Sequence, residues 1–188
     1  MLVIPHSFPH LTEHDKSSVM NCFDIEYIGY DEKVAKEIEK SLRNYLTYSI
    51  ITLTPSASLS LLLIFKYLKV GFGDQIIMSA VNCWSVYNCI TLENATPVVC
   101  DVRSDCDFRA SYENFDKKIT NKTKVIIITH MYGFLIEEEV IKKIKRNYPH
   151  ITIIEDFSTS LFSKRDFQLG HYSDFGNALE AIMKHRLN

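Results

Sequence analysis

The stretch ITIIEDFSTS, residues 151–160, decides the fold of this chain. Its first four residues are apolar or β-branched without polar alternation, a pattern typical of a strand that is covered on both faces. Two carboxylates, Glu155 and Asp156, follow at once, and the chain then becomes polar. A carboxylate at the end of a buried strand costs free energy unless it is paired or faces a ligand. These two therefore either cap the next helix or pair with a protonated ring nitrogen or a metal ion.

Similar apolar stretches alternate with helical patterns on the N-terminal side of this strand. Further strands are predicted at SIITL, QIIM, TPVVCDV and TKVIIITH, and helices at SASLSLLLIFKYL, CWSVYNCITLE, SYENFDKKI and EEEVIKKIKRNY. Asp31 is predicted to cap an earlier helix, whose apolar stripe comprises Val34, Ile38, Leu42 and Tyr45. Strands without polar alternation, separated by helices, predict parallel βαβ units. The fold class is therefore α/β, with three layers and a mainly parallel sheet.

The predicted organisation is a short N-terminal segment followed by one domain. Residues 1–30 are expected to be irregular, and residues 31–188 are expected to form the α/β domain. His6, His10 and His14 recur every four residues, as metal ligands on a helix do. Two prolines in the same segment interrupt any helix there, so no metal site is predicted.

Composition excludes several functional classes. The chain has 188 residues, a formal net charge of -2 and no block of like charges, so neither nucleic acid nor an acidic membrane surface is an expected partner. Its longest strongly apolar run, LSLLLIF, is far shorter than a membrane span, and the N-terminal MLVIPHSFPH lacks a basic leader. Five cysteines form no CxxC motif, which indicates reduced thiols and a cytoplasmic location.

Polar residues follow the predicted strands, where a parallel sheet binds its ligand. The strand ends carry Thr54 to Ser56, Asn82 to Trp84, Asp101, His130 and the two carboxylates. The TPSAS turn leads from a strand into a helix, so it either binds a phosphate or simply caps the helix. The chain has no Walker loop and no G-x-S-x-G elbow, which disfavours nucleotide-binding and hydrolase functions. His130 is expected to be a hydrogen-bonded packing residue.

Together these stretches resemble the large domain of the DegT/DnrJ/EryC1/StrS aminotransferases, fold-type-I enzymes that use pyridoxal phosphate (PLP), mostly to aminate keto-sugar nucleotides. The resemblance runs from residue 31 to residue 176 and rests on TPSASLSLLLIFKYLKVGFGDQIIM, TPVVCDV, ITNKTKVIIITHMYG, ITIIEDFSTS and LGHYSDFG, in that order. It implies a PLP cofactor, a keto-sugar nucleotide and an amino donor as substrates, and a site at a dimer interface.

The resemblance assigns the residues on two sides of the cofactor. The phosphate-binding turn of the family falls on the TPSAS turn, so Ser56 and the following backbone at Ala57 are expected to hold the phosphate, with Pro55 in place of the family's glycine. The position that stacks on the pyridine ring falls on Cys83. Trp84 is one residue later and would stack on the ring only if its alignment with the family shifted by one residue.

The resemblance also assigns the polar contacts of the ring. Asp156 matches the aspartate that keeps the ring nitrogen protonated, with Glu155 pointing to the other side of the strand, and Thr159 occupies the position that contacts the ring oxygen. Lys184 lies at the family's spacing for the lysine that bonds the cofactor covalently. However, Leu179 stands where the family has a phosphate-binding serine, and NALEAIMKH is predicted to be a helix.

The chain is about half as long as a normal member of this family, and the family's C-terminal small domain is absent. We therefore expect a PLP-dependent aminotransferase-like protein that is catalytically impaired or depends on a partner. That partner is expected to be a second copy in a homodimer or a second polypeptide that completes the fold. The alternative is a non-catalytic binding or interaction module on the same fold.

Overall fold

The computed structural model describes residues 11–23, 31–46, 48, 50–161, 163, 169–178 and the backbone of 181–184. The helices are α1 (Glu13–Phe23), α2 (Glu32–Tyr45), α3 (Ala57–Tyr67), α4 (Trp84–Leu92), α5 (Tyr112–Asp116) and α6 (Glu138–Asn147). The strands are β1 (Ile50–Leu53), β2 (Gln75–Ser79), β3 (Thr96–Cys100), β4 (Thr123–Thr129), β5 (Thr152–Asp156), β6 (Phe175–Ala178) and β7 (Ala181–Lys184). Two compact units result, residues 1–36 and residues 37–188.

The first unit contains α1 and the start of α2. The sequence predicts an irregular segment at residues 1–30, but the structure differs because residues 13–23 are helical. Thr12 and Asp15 cap this helix reciprocally: the Thr12 N–H donates to Asp15 (2.6 Å), and the Asp15 N–H donates to Thr12 Oγ1 (3.2 Å). Residues 1–10, with His6 and His10, and residues 24–30 lie outside the described residues.

The second unit is built on a seven-stranded sheet in the order β1-β7-β6-β5-β4-β2-β3. Five adjacent strands, from β6 to β3 in this order, are parallel, and β7 is antiparallel to both of its neighbours. The carboxyl ends of β1, β2, β4, β5 and β6 therefore lie at one edge of the sheet. The prediction of an α/β fold with a mainly parallel sheet is confirmed.

Helices cover both faces of this sheet, which gives the predicted three layers. On one face, α3 and α4 pack through Leu61, Phe65 and Ile90 against strand residues such as Ile127 and Ile154. On the other face, α5 and α6 pack through Phe115 and Ile144 against Ile126 and Ile153. Neighbouring residues of one strand thus belong to different cores, as a period of two requires.

The C-terminal helix predicted at NALEAIMKH is wrong. The structure has β6 and β7 instead, an antiparallel pair in which Phe175 is opposite Lys184 and Ala178 is opposite Ala181. β6 adds to β5 in parallel, and β7 fills the space between β6 and β1. Tertiary context therefore overrides the helical propensity of this segment, because each of the two strands pairs with a neighbouring strand on both sides.

The predicted helix cap at Asp31 is confirmed, and α5 also has a side-chain cap. Asp31 Oδ1 accepts hydrogen bonds from the N–H groups of Lys33 (2.8 Å) and Val34 (3.3 Å), and Ser111 forms a capping box at α5. The predicted apolar stripe of α2 is only partly covered, because Val34 is 49% exposed and Ile38 is 44% exposed. Within the described ranges, no helix is long and apolar enough to cross a membrane.

Candidate functional site

A cavity of about 240 Å³ lies at the carboxyl edge of the sheet. The helix starts after β1 and β2, the loops after β4 and β5, and strand β6 all contribute to it. The lining residues are Ala57, Ser58, Leu61, Asn82, Cys83, Ser85, Val86, Cys89, Thr129, Met131, Asp156, Ser158, Thr159 and Asn177. Four of the seven predicted site residues line this cavity: Ala57, Cys83, Asp156 and Thr159.

Asp156, the last residue of β5, is the buried carboxylate of this cavity, with 6% of its surface exposed. The backbone N–H and the hydroxyl of Ser158 both donate to its Oδ1, at 3.1 and 2.7 Å. Burial raises the pKa of Asp156 above its ordinary value, and hydrogen bonds from Ser158 and Asn177 oppose that rise. No lysine or arginine of the described part of the chain forms an ion pair with it. The cavity thus offers an acceptor suited to a cationic N–H donor.

Asn177 lies beside Asp156 and was not anticipated from the sequence. It is 1% exposed, and β5 and β6 pair these two residues in register. Its side chain lies near enough to Asp156 to lower the pKa of that carboxyl, against the effect of burial. The Asn177 Oδ1 is buried and has no hydrogen-bond partner among the described residues.

The start of α3 reaches the cavity through Ala57 and Ser58. Ser56 is the N-cap of this helix, and its Oγ accepts a hydrogen bond from the Leu59 N–H at 3.2 Å. The capping alternative for the TPSAS turn is therefore confirmed, and phosphate binding stays a prediction. The Ser56 hydroxyl caps the helix, while the backbone of the first helical turn, with its positive dipole end, lines the cavity.

The structure separates the two candidates for the ring-stacking position. Cys83 lines the cavity and accepts a hydrogen bond from the Ser85 hydroxyl at 3.0 Å. Trp84 lies outside the cavity lining, is 70% exposed and stacks on Tyr87, with 4.8 Å between the ring centroids. Trp84 is the first residue of α4, and its ring lies on the outer surface. The one-residue shift that would place this ring in the cavity is therefore not observed.

Thr159 lines the cavity, but its hydroxyl is already used. It donates to the His130 carbonyl oxygen at 3.2 Å and accepts from the Tyr132 N–H at 3.1 Å. A hydroxyl has one proton and two acceptor sites. Thr159 therefore offers the cavity an acceptor and no free donor in this arrangement.

The backbone of Lys184 does not lie opposite Asp156 along the direction of the strands. Its backbone pairs with Ile50 at the start of β1 and with Phe175 at the start of β6, whereas Asp156 pairs with Asn177. Lys184 therefore lies two residues, or about 7 Å, toward the amino ends of the parallel strands. Its side chain, and residues Leu179 and Glu180, lie outside the described part of the chain.

Glu155 points to the opposite face of the sheet, as predicted, and joins a buried polar network. Its Oε2 accepts hydrogen bonds from the Gly170 N–H (2.8 Å) and the Ser173 hydroxyl (2.7 Å). Its Oε1 lies 3.1 Å from Nε2 of His130, whose Nδ1 accepts from the Ile136 N–H. His130 therefore donates from Nε2, and the prediction that it is a hydrogen-bonded packing residue is confirmed.

Comparison with known families identifies one match over most of the chain. The model of the DegT/DnrJ/EryC1/StrS aminotransferase family matches residues 9–177. GDP-perosamine synthase of Escherichia coli O157:H7 is 28% identical over 166 residues, which cover 87% of this chain and 44% of that protein. UDP-4-amino-4-deoxy-L-arabinose–oxoglutarate aminotransferase of Shewanella sediminis is 30% identical over 158 residues, which cover 84% of this chain and 40% of that protein.

Solved structures give the same result for the fold. Spr1654 from Streptococcus pneumoniae in its PLP-form superposes with a TM-score of 0.81 at 25% identity, over 98% of this chain and 53% of that chain. NtdA from Bacillus subtilis, solved with bound cofactor PMP, superposes with a TM-score of 0.79 at 20% identity, over 94% of this chain and 43% of that chain. The chain thus spans about half the length of the relatives it matches, and the fold-type-I resemblance is confirmed.

Proposed function

Because the chain belongs to the DegT/DnrJ/EryC1/StrS aminotransferase family, we propose that its cavity binds PLP and that the chain is the cofactor-binding part of a sugar aminotransferase. The observation that carries this proposal is Asp156, a buried carboxylate in the cavity with a raised pKa and no cationic side chain paired to it in the described residues. A protonated pyridine nitrogen supplies the missing cation and donor in one group.

The residues of the cavity suit this cofactor. When bound, PLP supplies an electron-accepting ring that stabilises negative charge on the substrate. Asp156 would hold the proton on the ring nitrogen, and Cys83 would flank the ring. The N–H groups of the first turn of α3, at Ala57 and Ser58, would hold the phosphate, because a helix N-terminus binds anions. Thr159 would accept a hydrogen bond at the ring edge.

We assign the substrates by analogy with the relatives, whose names describe amino sugars linked to nucleotides. A keto-sugar nucleotide and an amino donor are therefore the proposed substrates. The chain covers about half of those proteins, so the remaining substrate contacts would come from a second copy or a second polypeptide. Exposed apolar side chains at Ile38, Tyr45 and Ile50 support such an association. The predicted cytoplasmic location is consistent with this function.

One observation favours a second function, PLP binding without catalysis. The backbone of Lys184 is displaced from Asp156 by about 7 Å toward the amino ends of the parallel strands. The lysine that is expected to bond the cofactor therefore begins far from the carboxyl edge where the cavity lies. In this case the chain would be a cofactor-binding module whose lysine is supplied elsewhere or lost. The two functions differ in a single measurable property, which is covalent capture of the cofactor by this chain.

The test is a titration of the purified chain with PLP, followed by absorbance and then by borohydride reduction and mass-spectrometric mapping of modified lysines. The proposal predicts saturable binding that Asp156→Ala weakens at least 10-fold, since a charge-assisted hydrogen bond is lost. Asp101→Ala is the matched control, because Asp101 also follows a strand but is exposed and outside the cavity. Labelled Lys184 supports the aminotransferase, and saturable binding without a labelled lysine supports the module. Absence of saturable binding contradicts both.

A further inference from the structure

We propose that Asn82 is a positioning residue of this cavity. Its side-chain amide joins the start of α4, where Cys83 lies, to Thr129 at the end of β4, and so holds Cys83 at a fixed distance from Asp156. The inference rests on the proposed function for the identity of the ligand that enters between Cys83 and Asp156. The link itself consists of hydrogen bonds between residues of this chain, so it can also be tested without a ligand.

Two hydrogen bonds fix the orientation of the Asn82 amide. The backbone N–H of Cys83 donates to its Oδ1 at 2.8 Å. Because a backbone N–H can only donate, the amide oxygen must face Cys83, and the amide nitrogen must face the other way. That nitrogen, Nδ2, donates to Thr129 Oγ1 at 2.8 Å. Both ends of the amide are therefore used, one for the start of α4 and the other for the sheet.

Thr129 brings this link next to Asp156. β4 and β5 pair the two residues in register, and both side chains line the cavity, so they lie on the same face of the sheet. The His130 N–H donates to the Asp156 carbonyl oxygen at 2.9 Å, which holds the ends of the two strands together. Thr129 is also buried, so its side chain has little room to turn. It is therefore a rigid attachment point for Asn82 on the sheet.

The start of α4 is the more weakly held side of the cavity. Cys83 is the N-cap residue of α4, and its side chain makes no capping hydrogen bond to the described residues. The Ser85 hydroxyl donates to its Sγ, but both residues belong to the same helix start. Asn82 supplies a side-chain hydrogen bond from this helix start to the sheet. Because the groups of a binding site must be held to within about 0.5 Å, loss of that bond is expected to weaken the hold on a ring between Cys83 and Asp156.

The first test compares the PLP affinity of the wild-type chain and its variants by titration. Thr129→Val keeps the shape of the side chain but removes the acceptor for Asn82, and Thr129→Ser is the matched control because it keeps the hydroxyl. Asn82→Ala removes the link from its other end. We expect Thr129→Val and Asn82→Ala each to weaken PLP binding about 5-fold, and Thr129→Ser to bind within about 2-fold of wild type. The double variant Asn82→Ala/Thr129→Val should bind no more weakly than Asn82→Ala, because both changes remove the same bond.

The second test measures amide hydrogen exchange in the absence of PLP. Exchange at the start of α4 should be about 5-fold faster in Thr129→Val and Asn82→Ala than in wild type and in Thr129→Ser. Exchange in α6 is the internal control and should not change, because α6 packs on the opposite face of the sheet. Faster exchange in both helices would show a general loss of stability and would overturn the inference.

The affinities can also contradict the inference. It is overturned if Thr129→Val binds PLP as tightly as wild type, if Thr129→Val and Thr129→Ser lose affinity equally, or if the two single losses add in full in the double variant. A wild-type chain that does not bind PLP overturns the proposed function, and hydrogen exchange then decides the inference by itself. Circular dichroism confirms folding of each variant, and Asn82→Ala carries both tests if Thr129→Val does not fold.

Discussion

Glu155 and Asp156 are consecutive residues of β5, yet their carboxylates lie on opposite faces of the sheet and, among the residues that the structure describes, accept hydrogen bonds from different donors. Glu155 accepts from His130, Gly170 and Ser173 in a buried network. Asp156 accepts from the backbone N–H and the hydroxyl of Ser158 at the cavity. Since neighbouring strand residues alternate in direction, one carboxylate stabilises the fold and the other faces the ligand. The two roles are separable by mutation.

Asp156→Asn is expected to make the ligand-free chain more stable at neutral pH. Burial raises the pKa of Asp156, so the folded state binds more protons than the unfolded state once the pH exceeds the ordinary aspartate value. The wild-type free energy of unfolding therefore falls as the pH rises through that window, and the amide variant lacks this fall. Urea unfolding between pH 4 and pH 8 measures the difference. The exposed Asp101→Asn is the control, and a stability gain that does not depend on pH would contradict the prediction.

Glu155→Ala is expected to lower the free energy of unfolding by about 3 kcal/mol or more, because the substitution removes the acceptor of three hydrogen bonds from buried residues. Urea denaturation at neutral pH measures this loss. Glu139→Ala is the control: its carboxylate is 81% exposed and pairs with Lys142, and the expected change is below about 0.5 kcal/mol. Similar losses for both variants would show that the buried network does not stabilise the fold.

Gly176→Ala is expected to destabilise the fold by about 1–3 kcal/mol through overpacking. A Cβ at this position would lie 2.7 Å from Cε2 of Tyr48. The Tyr48 ring cannot move aside easily, because it is buried and its hydroxyl is hydrogen-bonded to Ser173 at 2.7 Å. Thermal unfolding measures the effect.

Gly71→Ala is the matched control for this substitution. No atom lies within 4 Å of the place that the new methyl group would occupy, and Gly71 has no positive φ. The same change should therefore be neutral or slightly stabilising there. A Gly176→Ala variant as stable as Gly71→Ala would mean that Tyr48 is more mobile than its contacts indicate.

Cys83 is expected to react with iodoacetamide more slowly when PLP is present, because it is an exposed thiol that also lines the proposed cofactor cavity. Cys106 is an exposed thiol outside the cavity, so its alkylation rate should not change. Mass spectrometry of timed samples gives both rates in one experiment. Equal protection of both thiols would indicate a global effect of PLP, and no protection of Cys83 would place the ligand elsewhere.

The sequence predicted the strands and helices where local pattern and tertiary context agree. The run TKVIIITH is rich in β-branched residues and forms β4. The run EEEVIKKIKRNY forms α6, with acidic residues in its first turn and basic residues in its last. At NALEAIMKH the local pattern contradicts the fold. Alanine, leucine, glutamate, methionine and lysine are good helix formers, but the open positions beside β5 and β1 recruit this segment as β6 and β7.

The candidate site was predictable only in part, for a similar reason. A strand period of two is a local property, so the opposite directions of Glu155 and Asp156 follow from the sequence. The contact between Asp156 and Asn177 depends on the register of β5 and β6, which is set by the intervening residues and has no sequence signature. The spacing from Asp156 to Ser158 did offer a signal, because an aspartate side chain commonly accepts a hydrogen bond from the backbone N–H two residues further along the chain.

The alternation along β5 has an evolutionary consequence. Glu155 is needed wherever this sheet must fold, since its three partners come from two separate segments of the chain, the end of β4 and the loop between β5 and β6. Asp156 is needed only where the cavity must bind its ligand. In relatives that no longer bind the ligand, selection would conserve the glutamate at position 155 but not the aspartate at position 156. The residue at position 156 would therefore indicate whether a relative still uses the cavity.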